Sequence, residues 1–170
     1  MNSKDLAAKH GMMSHDEIDL LQSVIPSGSI TVVNIGANIG TSTCTILEAN
    51  PNAFVFSIDV KPWPEERENV IACGLNPQRI VRLLGSSYEM VHFPYEVDMV
   101  FVDGGHHDEA VQGDIDIWKP RCRQIMLFHD YHHPNYAAKP GVNLDAIVDR
   151  EMADWERIGE ARYLVAFRRI

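Results

Sequence analysis

The sequence lacks the features that mark secreted and membrane-spanning proteins. It has only three cysteines, Cys44, Cys73 and Cys122, which lie far apart and include no C-x-x-C pair, so they indicate reduced thiols and no disulfide framework. Its N-terminus has no continuous apolar stretch like the core of a signal peptide, and no later apolar run is long enough to span a bilayer. We therefore expect a cytoplasmic location and no membrane partner.

Positive charge is also scarce in this chain. It has 15 Lys and Arg residues against 24 Asp and Glu residues, which gives a formal net charge of -9. Nucleic acids recruit basic surfaces, so a nucleic acid is not expected as the main partner. The chain also lacks repeats, low-complexity tracts and a Gly/Ser/Pro-rich linker, and its 170 residues fit one domain spanning positions 1–170.

What the sequence does contain is an alternation of short β-rich runs and helical patterns. Strands are predicted over residues 30–35, 54–58, 80–84, 97–102, 124–129 and 162–169, the last within a C-terminal β-hairpin. Helices are predicted over residues 41–48, 65–73 and 142–152, with another capped by Asp108. This alternation implies right-handed crossovers, so we predict an α/β fold: a Rossmann-like, doubly wound, mostly parallel sheet with a C-terminal antiparallel hairpin.

The N-terminal segment has its own helical signal. Ser14 and Glu17 stand at the spacing of a capping box, in which each side chain satisfies a backbone N–H of the other residue. Pro26 and Gly28 then end the predicted helix. We expect residues 1–28 to form a helical lid or cap on the domain.

A glycine-bearing turn follows the first predicted strand, at the edge where such sheets bind ligands. Gly36, Asn38 and Gly40 are residues that readily adopt a positive φ. Asp59 ends the second strand, where a carboxylate can accept hydrogen bonds from both hydroxyls of a ribose. The P-loop pattern is absent, and Thr41 stands where the nicotinamide fingerprint needs a third glycine. We infer a site for an adenosine-containing ligand.

The segment VVNIGANIGTST resembles motif I of class I S-adenosylmethionine-dependent methyltransferases. Within that superfamily the chain is similar to the methyltransferase family 24 group. It has a D-G-x-H signature at Asp103–His106 after strand four and an H-D-Y signature at His129–Tyr131 after strand five, and Gly141-Val142 also matches. The resemblance covers about residues 30–169 and implies S-adenosylmethionine as the cofactor.

The resemblance also implies roles for individual residues. Gly36, Asn38 and Gly40 would line the methionine and ribose portion, and Asp59 would hold the ribose hydroxyls. Two positions depart from the superfamily, which has an acid where Asn34 stands and another near Ser86; contact with the cofactor's amino group is then weaker, and adenine recognition rests on a hydroxyl or on backbone. The predicted cofactor-binding residues are Asn34, Gly36, Asn38, Gly40, Asp59, Gly85, Ser86, Ser87 and Asp103.

Histidines and carboxylates form a second group at the same edge. Five of the eight histidines fall in the two loops after strands four and five, at positions 106, 107, 129, 132 and 133. The predicted catalytic residues are Asp103, His106, His107 and Asp130, and the predicted metal ligands are Asp103, His129 and Asp130. One interpretation is a divalent cation that acidifies a substrate hydroxyl, softer than Mg²⁺ because of the histidine. The other is a histidine base, His106 or His107, without a metal.

These observations favour a methyltransferase that modifies an oxygen atom of a small molecule or sugar. Two alternatives stay open: a metal-dependent hydrolase built on the histidine-rich edge, and a methyltransferase-like domain that binds without transferring a methyl group. The hydrolase leaves the glycine turn and Asp59 without a role. The sequence is compatible with a homo-oligomer and does not identify the methyl acceptor.

Overall fold

The computed structural model of the protein describes residues 1–137 and 139–170. Its strands are β1 (Thr31–Ile35), β2 (Phe54–Asp59), β3 (Ile80–Leu84), β4 (Val97–Val102), β5 (Cys122–Phe128), β6 (Glu156–Ala161) and β7 (Leu164–Arg168). Its helices are α1 (Ser3–His10), α2 (His15–Val24), α3 (Thr41–Ala49), α4 (Pro64–Ala72), α5 (Asp108–Trp118), α6 (Pro134–Ala137) and α7 (Leu144–Glu151). The described strands form one sheet in the order β3-β2-β1-β4-β5-β7-β6.

The sheet is mostly parallel, with an antiparallel end. Strands β1 to β5 pair in parallel, and Val33 in β1 lies opposite Phe56 in β2 and Val100 in β4. Strand β7 runs antiparallel to both β5 and β6, and a tight hairpin joins β6 to β7. The predicted fold class is confirmed, and β3 and β4 have the predicted bounds.

Helices cover both faces of the sheet, which explains why the central strands are almost continuously apolar. Successive residues of a strand point to opposite faces, so Val32 packs with helices α1 to α4 while Val33 packs with helices α5 and α7. The longest described helix, α5, has 11 residues. No helix in the described part of the chain has the length and apolar character needed to cross a membrane.

The N-terminal helices α1 and α2 pack into the apolar core on the face of the sheet that contains Val32. The predicted capping box at Ser14 is present and begins α2, whose Ile18 and Leu21 are fully buried. Helix α1 was not predicted as a separate helix; it begins with a similar box at Asn2 and Asp5 and buries Leu6. Residues 1–28 therefore pack against the sheet through α3 and the hairpin strands, as part of the folded body.

The start of α5 corrects one prediction. His107, and not Asp108, is the N-cap residue, because the His107 Nδ1 atom accepts a hydrogen bond from the Ala110 N–H at 3.1 Å. Asp108 is the first helical residue, and its carboxylate accepts hydrogen bonds from the backbone and side chain of Asn143. The Asp108 carboxylate thus joins the start of α5 to the start of α7.

The burial of α2 predicts that this helix stabilises the whole protein. Replacing Ile18 by alanine removes a fully buried side chain, so the free energy of unfolding should fall by about 2–5 kcal/mol, measured by urea denaturation. Asp19→Asn on the exposed face of the same helix should leave it within about 0.5 kcal/mol of wild type. Equal free energies of unfolding for the two variants would show that α2 contributes little to the stability of the folded domain.

Candidate functional site

A cleft of about 880 Å³ opens at the carboxyl ends of the central strands. This volume lies within the range of small-molecule sites. The glycine turn, the loops after β2 to β5, the turn before α2 and the β6–β7 hairpin turn all contribute to its walls. Its predicted site residues are Gly36, Asn38, Asp59, Gly85, Ser86, Ser87, Asp103, His106, His107, His129 and Asp130.

The glycine turn has the backbone that the sequence predicted. Gly36, Asn38 and Gly40 have φ values of 74°, 49° and 92°, all in the left-handed region. At Gly36 a Cβ atom would lie 1.8 Å from the carbonyl oxygen of Asp103, so only glycine lets the turn after β1 touch the end of β4. Gly40 does not line the cleft, and it allows the turn to pass close to Glu66, whose Cγ a Cβ atom would meet at 2.8 Å.

Asp59 holds the glycine turn from the neighbouring strand. One carboxylate oxygen, Oδ2, accepts a hydrogen bond from the Asn38 N–H at 3.0 Å, and Oδ1 accepts one from the Lys61 N–H at 2.9 Å. A carboxylate has about four acceptor positions, so each oxygen keeps one for a ligand in the cleft. The geometry is compatible with two hydroxyl donors at this carboxylate.

Asn34 does not reach the cleft. It is fully buried, its amide nitrogen donates to the hydroxyls of Ser42 and Thr43, and its amide oxygen accepts from Ser42. Asn34 therefore holds the first turn of α3 in place through side-chain hydrogen bonds. Ser42 and Thr41 line the cleft instead, and the Thr41 Oγ1 atom has no hydrogen-bond partner among the described residues.

A buried acid lies beneath the loop that follows β3. Asp114 in α5 is fully buried and accepts a hydrogen bond from the Ser87 hydroxyl. Burial raises the pKa of Asp114 to about 6, and its Oδ2 atom has no partner among the described residues. The sequence analysis missed this residue, because the acid stands on the helix face that carries Val111 and Ile115.

The structure brings together the three predicted metal ligands. One ligand atom from each of Asp103, His129 and Asp130 lies within 4.8 Å of the others. The His129 Nδ1 atom is 3.2 Å from Asp103 Oδ1 and 3.6 Å from Asp130 Oδ1. Asp130 has a φ of 60°, in the left-handed region, and its carboxylate faces His129 and His106.

Of the other histidines in the two loops, His106, His107 and His133 line the cleft and His132 does not. His106 pairs with Asp130, and its ring stacks on Tyr136 with 4.3 Å between ring centroids. His107 lines the cleft, although its Nδ1 atom is occupied in capping α5. The His132 Nδ1 atom lies 2.8 Å from Asp145 Oδ2 in α7, outside the cleft. His133 lines the cleft beside Tyr163.

Glu17 is a site residue that the sequence analysis recognised only as half of a capping box. It lines the cleft, and its Oε1 atom lies 3.5 Å from His129 Nε2. The hairpin turn contributes Arg162 and Tyr163, and α6 contributes Tyr136. Glu17, Arg162 and Tyr163 lie far from the signature segments in the chain, and Tyr136 follows the H-D-Y signature by five residues without belonging to it, so no local spacing indicated these residues.

The cluster around His129 has strongly shifted pKa values. Burial alone would lower the pKa of His129, but the carboxylates around it raise that pKa to about 12. Burial would raise the pKa of Glu17, but His129 and the Ser14 N–H lower it to about 2. Burial opposes ionisation of Asp130 too, yet His106 and His129 hold its pKa well below the usual range. Burial raises the pKa of Asp103.

Comparisons with known proteins agree with this architecture. Residues 33–131 match a family model described as a methyltransferase domain, whereas no curated protein sequence matches the chain. A solved structure from Staphylococcus aureus, named provisionally as a caffeoyl-CoA O-methyltransferase, superposes with a TM-score of 0.75 at 12% identity, over 96% of this chain and 89% of that one.

Two further solved structures are similar. An rRNA methylase from Streptococcus thermophilus has a TM-score of 0.65 at 13% identity and covers 92% of this chain and 95% of that one. MycE methyltransferase, solved with Mg, SAH and mycinamycin VI, has a TM-score of 0.69 at 13% identity and covers 99% of this chain and 55% of that one. At such low identities the likeness shows a shared fold.

The contact between Gly36 and Asp103 predicts a large difference between two glycine substitutions. Gly28 and Gly36 both have a positive φ, of 87° and 74°, but a Cβ atom at Gly28 would meet no atom within 4 Å. Gly28→Ala should therefore cost only the backbone strain, about 1–2 kcal/mol in free energy of unfolding. Gly36→Ala should cost several kcal/mol more in urea denaturation, because it also displaces the Asp103 carbonyl. Equal losses would contradict the close approach of these two loops.

Proposed function

Because this chain belongs to the family of methyltransferase domains that it matches over residues 33–131, it is an S-adenosylmethionine-dependent methyltransferase, and we propose that its acceptor is a small molecule or sugar. The methyl group would go to a hydroxyl oxygen of that acceptor, with the help of a divalent metal ion. The observation that carries the proposal is the convergence of Asp103, His129 and Asp130 beside the glycine turn, within one cleft. Family membership favours a transferase over the metal-dependent hydrolase.

The residues around the glycine turn fit S-adenosylmethionine. We assign the ribose hydroxyls to Asp59, whose oxygens keep free acceptor positions after binding Asn38 and Lys61. The N-terminus of α3 has no side-chain cap and the Thr41 hydroxyl has no partner within residues 1–137 and 139–170, so this end of the helix suits the carboxylate of the methionine portion. The cofactor supplies a methyl group that is already activated on a sulfonium, so the protein has mainly to position the reactants and exclude water.

The donor set of the cluster fits a divalent cation. Both ring nitrogens of His129 are buried and have no partner in hydrogen-bond geometry among the described residues, and two carboxylates face Nδ1. One nitrogen and two carboxylate ligands suit Mn²⁺, Fe²⁺ or Zn²⁺ better than Mg²⁺. Such an ion would lower the pKa of an acceptor hydroxyl as a Lewis acid. The solved MycE complex, which contains Mg and SAH, supports the combination of metal and cofactor on this fold.

The acceptor half of the cleft supports a small-molecule or sugar substrate. It is bounded by residues 11–14 from the N-terminal segment and by the hairpin turn at Arg162 and Tyr163, with His133 and Tyr136 adding ring surfaces. An rRNA methylase shares the fold, but the excess of acidic residues in this chain argues against a nucleic-acid acceptor.

We further propose that residues 1–28 act as the cover of a single domain, because Met12 and Met13 line the cleft while α1 and α2 pack into the core. The three cysteines are free thiols, which supports a reducing, cytoplasmic location.

Asp59 should control cofactor affinity. Asp59→Asn keeps the shape of the side chain and an acceptor for the glycine turn but removes its charge. Hydrogen bonds to charged groups contribute about 1.5–3 kcal/mol, so S-adenosylhomocysteine should bind at least about tenfold more weakly in calorimetric titration. Asp116→Asn, an exposed acid on α5, should bind as wild type does. An unchanged affinity in Asp59→Asn would place the ribose elsewhere.

The metal proposal predicts Mn²⁺ binding that depends on the cluster. In calorimetric titration the wild type should bind Mn²⁺, and Asp103→Asn and Asp130→Asn should each weaken binding at least about tenfold. Asp145→Asn, an acid that pairs with His132 outside the cluster, should have no effect. If the wild type binds no divalent cation, and S-adenosylhomocysteine production with an acceptor survives a chelator, the metal is excluded and His106, paired with Asp130, is the remaining base.

A further inference from the structure

We propose that Glu17 is a positioning residue that holds the Nε2 side of His129, so that His129 presents Nδ1 to a metal ion between Asp103 and Asp130. This inference rests on the metal site of the proposed function. Glu17 lies in α2, outside the residues 33–131 that match the family model. The N-terminal helix would then complete a site whose other parts lie within the matched domain.

Glu17 has a fixed position because two backbone segments hold it. Its Oε2 atom accepts a hydrogen bond from the Ser14 N–H at 2.5 Å, within the capping box of α2. Its Oε1 atom accepts one from the Tyr163 N–H at 3.1 Å, in the β6–β7 hairpin turn. The side chain is only 2% exposed, so it cannot turn towards solvent. The fold therefore sets where this carboxylate lies.

His129 lies between this carboxylate and the two predicted metal-binding acids. Its Nε2 atom is 3.5 Å from Glu17 Oε1, while its Nδ1 atom is 3.2 Å from Asp103 Oδ1. Carboxylates thus face opposite edges of one buried ring. The hydrogen bond from the Tyr163 N–H to Glu17 also links α2 to the hairpin turn, so both segments fix the carboxylate beside the ring.

The chemistry of imidazole assigns different roles to the two edges. A neutral imidazole has one N–H donor and one nitrogen with a lone pair, and its neighbours decide which is which. A fixed carboxylate beside Nε2 favours the proton there, which leaves the Nδ1 lone pair for a cation shared with Asp103 and Asp130. A carboxylate on the far nitrogen orients a metal-binding histidine and increases its basicity.

The test is calorimetric titration of the full chain with Mn²⁺, comparing wild type, Glu17→Gln and Asp16→Asn. Loss of such a supporting carboxylate costs about 10–100-fold in metal affinity, which is the effect expected for Glu17→Gln. Asp16→Asn removes an equal charge from an exposed position in the same turn and should bind Mn²⁺ as wild type does. The affinity of Glu17→Gln for S-adenosylhomocysteine should stay within about twofold of wild type, showing that the cleft is intact.

A second measurement reads the ring directly. With Zn²⁺ in place of Mn²⁺, the ¹⁵N spectrum of the His129 imidazole should show a protonated Nε2 and a metal-bound Nδ1 in the wild type. Zn²⁺ on Nε2, or equal Mn²⁺ affinity in Glu17→Gln and wild type, would overturn the inference. A wild type without Mn²⁺ affinity would instead refute the proposed metal site.

If Glu17→Gln does not fold, Glu17→Asp takes its place. This variant keeps the charge but withdraws it from His129 by about one C–C bond length, roughly 1.5 Å. Weaker Mn²⁺ binding with unchanged S-adenosylhomocysteine affinity supports the inference, and wild-type Mn²⁺ binding contradicts it.

Discussion

Three carboxylates surround one buried imidazole in this protein, and the arrangement of the cleft depends on that contact. Asp103, Asp130 and Glu17 would repel one another in an environment from which water is largely excluded. His129 lies among them and is 8% exposed, and in its protonated form it offsets their negative charge where solvent has little access. A divalent cation bound at Nδ1 would take over part of the same compensation. The cluster therefore favours a positive charge at its centre, either the proton of His129 or a cation beside it.

The four residues of the cluster come from three different elements, so the geometry of the cluster depends on the whole fold. Asp103 follows β4, and His129 and Asp130 follow β5, which is the parallel neighbour of β4. Glu17 comes from α2, which packs against α3 and against the hairpin strands β6 and β7. The left-handed backbone at Asp130 is held by this surrounding structure. His129 and Asp130 are successive residues, and both line the cleft.

The cleft has two chemically different parts, one at Asp59 and one at His129, along the same edge of the sheet. The contact of Gly36 with the Asp103 carbonyl places the glycine turn and the cluster side by side. The Asp59 side is built from hydrogen-bond acceptors and a helix N-terminus, which suits a nucleoside with a charged tail. The His129 side has paired charges and aromatic rings, which suits an acceptor whose hydroxyl loses a proton. The transferable methyl group would lie where the two sides meet.

Local sequence determined most of the strands, the left-handed turn at Asn38 and the approach of Asp103 to Asp130, because apolar runs, glycine spacing and strand order are short-range or topological properties. Tertiary structure alone decided that Glu17 faces His129, that Asp114 accepts from Ser87 and that Asn34 lies below the cleft. Contacts such as that between Glu17 and Tyr163, 146 residues apart, follow from helix and hairpin packing, which leaves no periodicity in the chain. A capping box satisfies its local role whichever buried group its second carboxylate oxygen meets, so its sequence cannot specify that group.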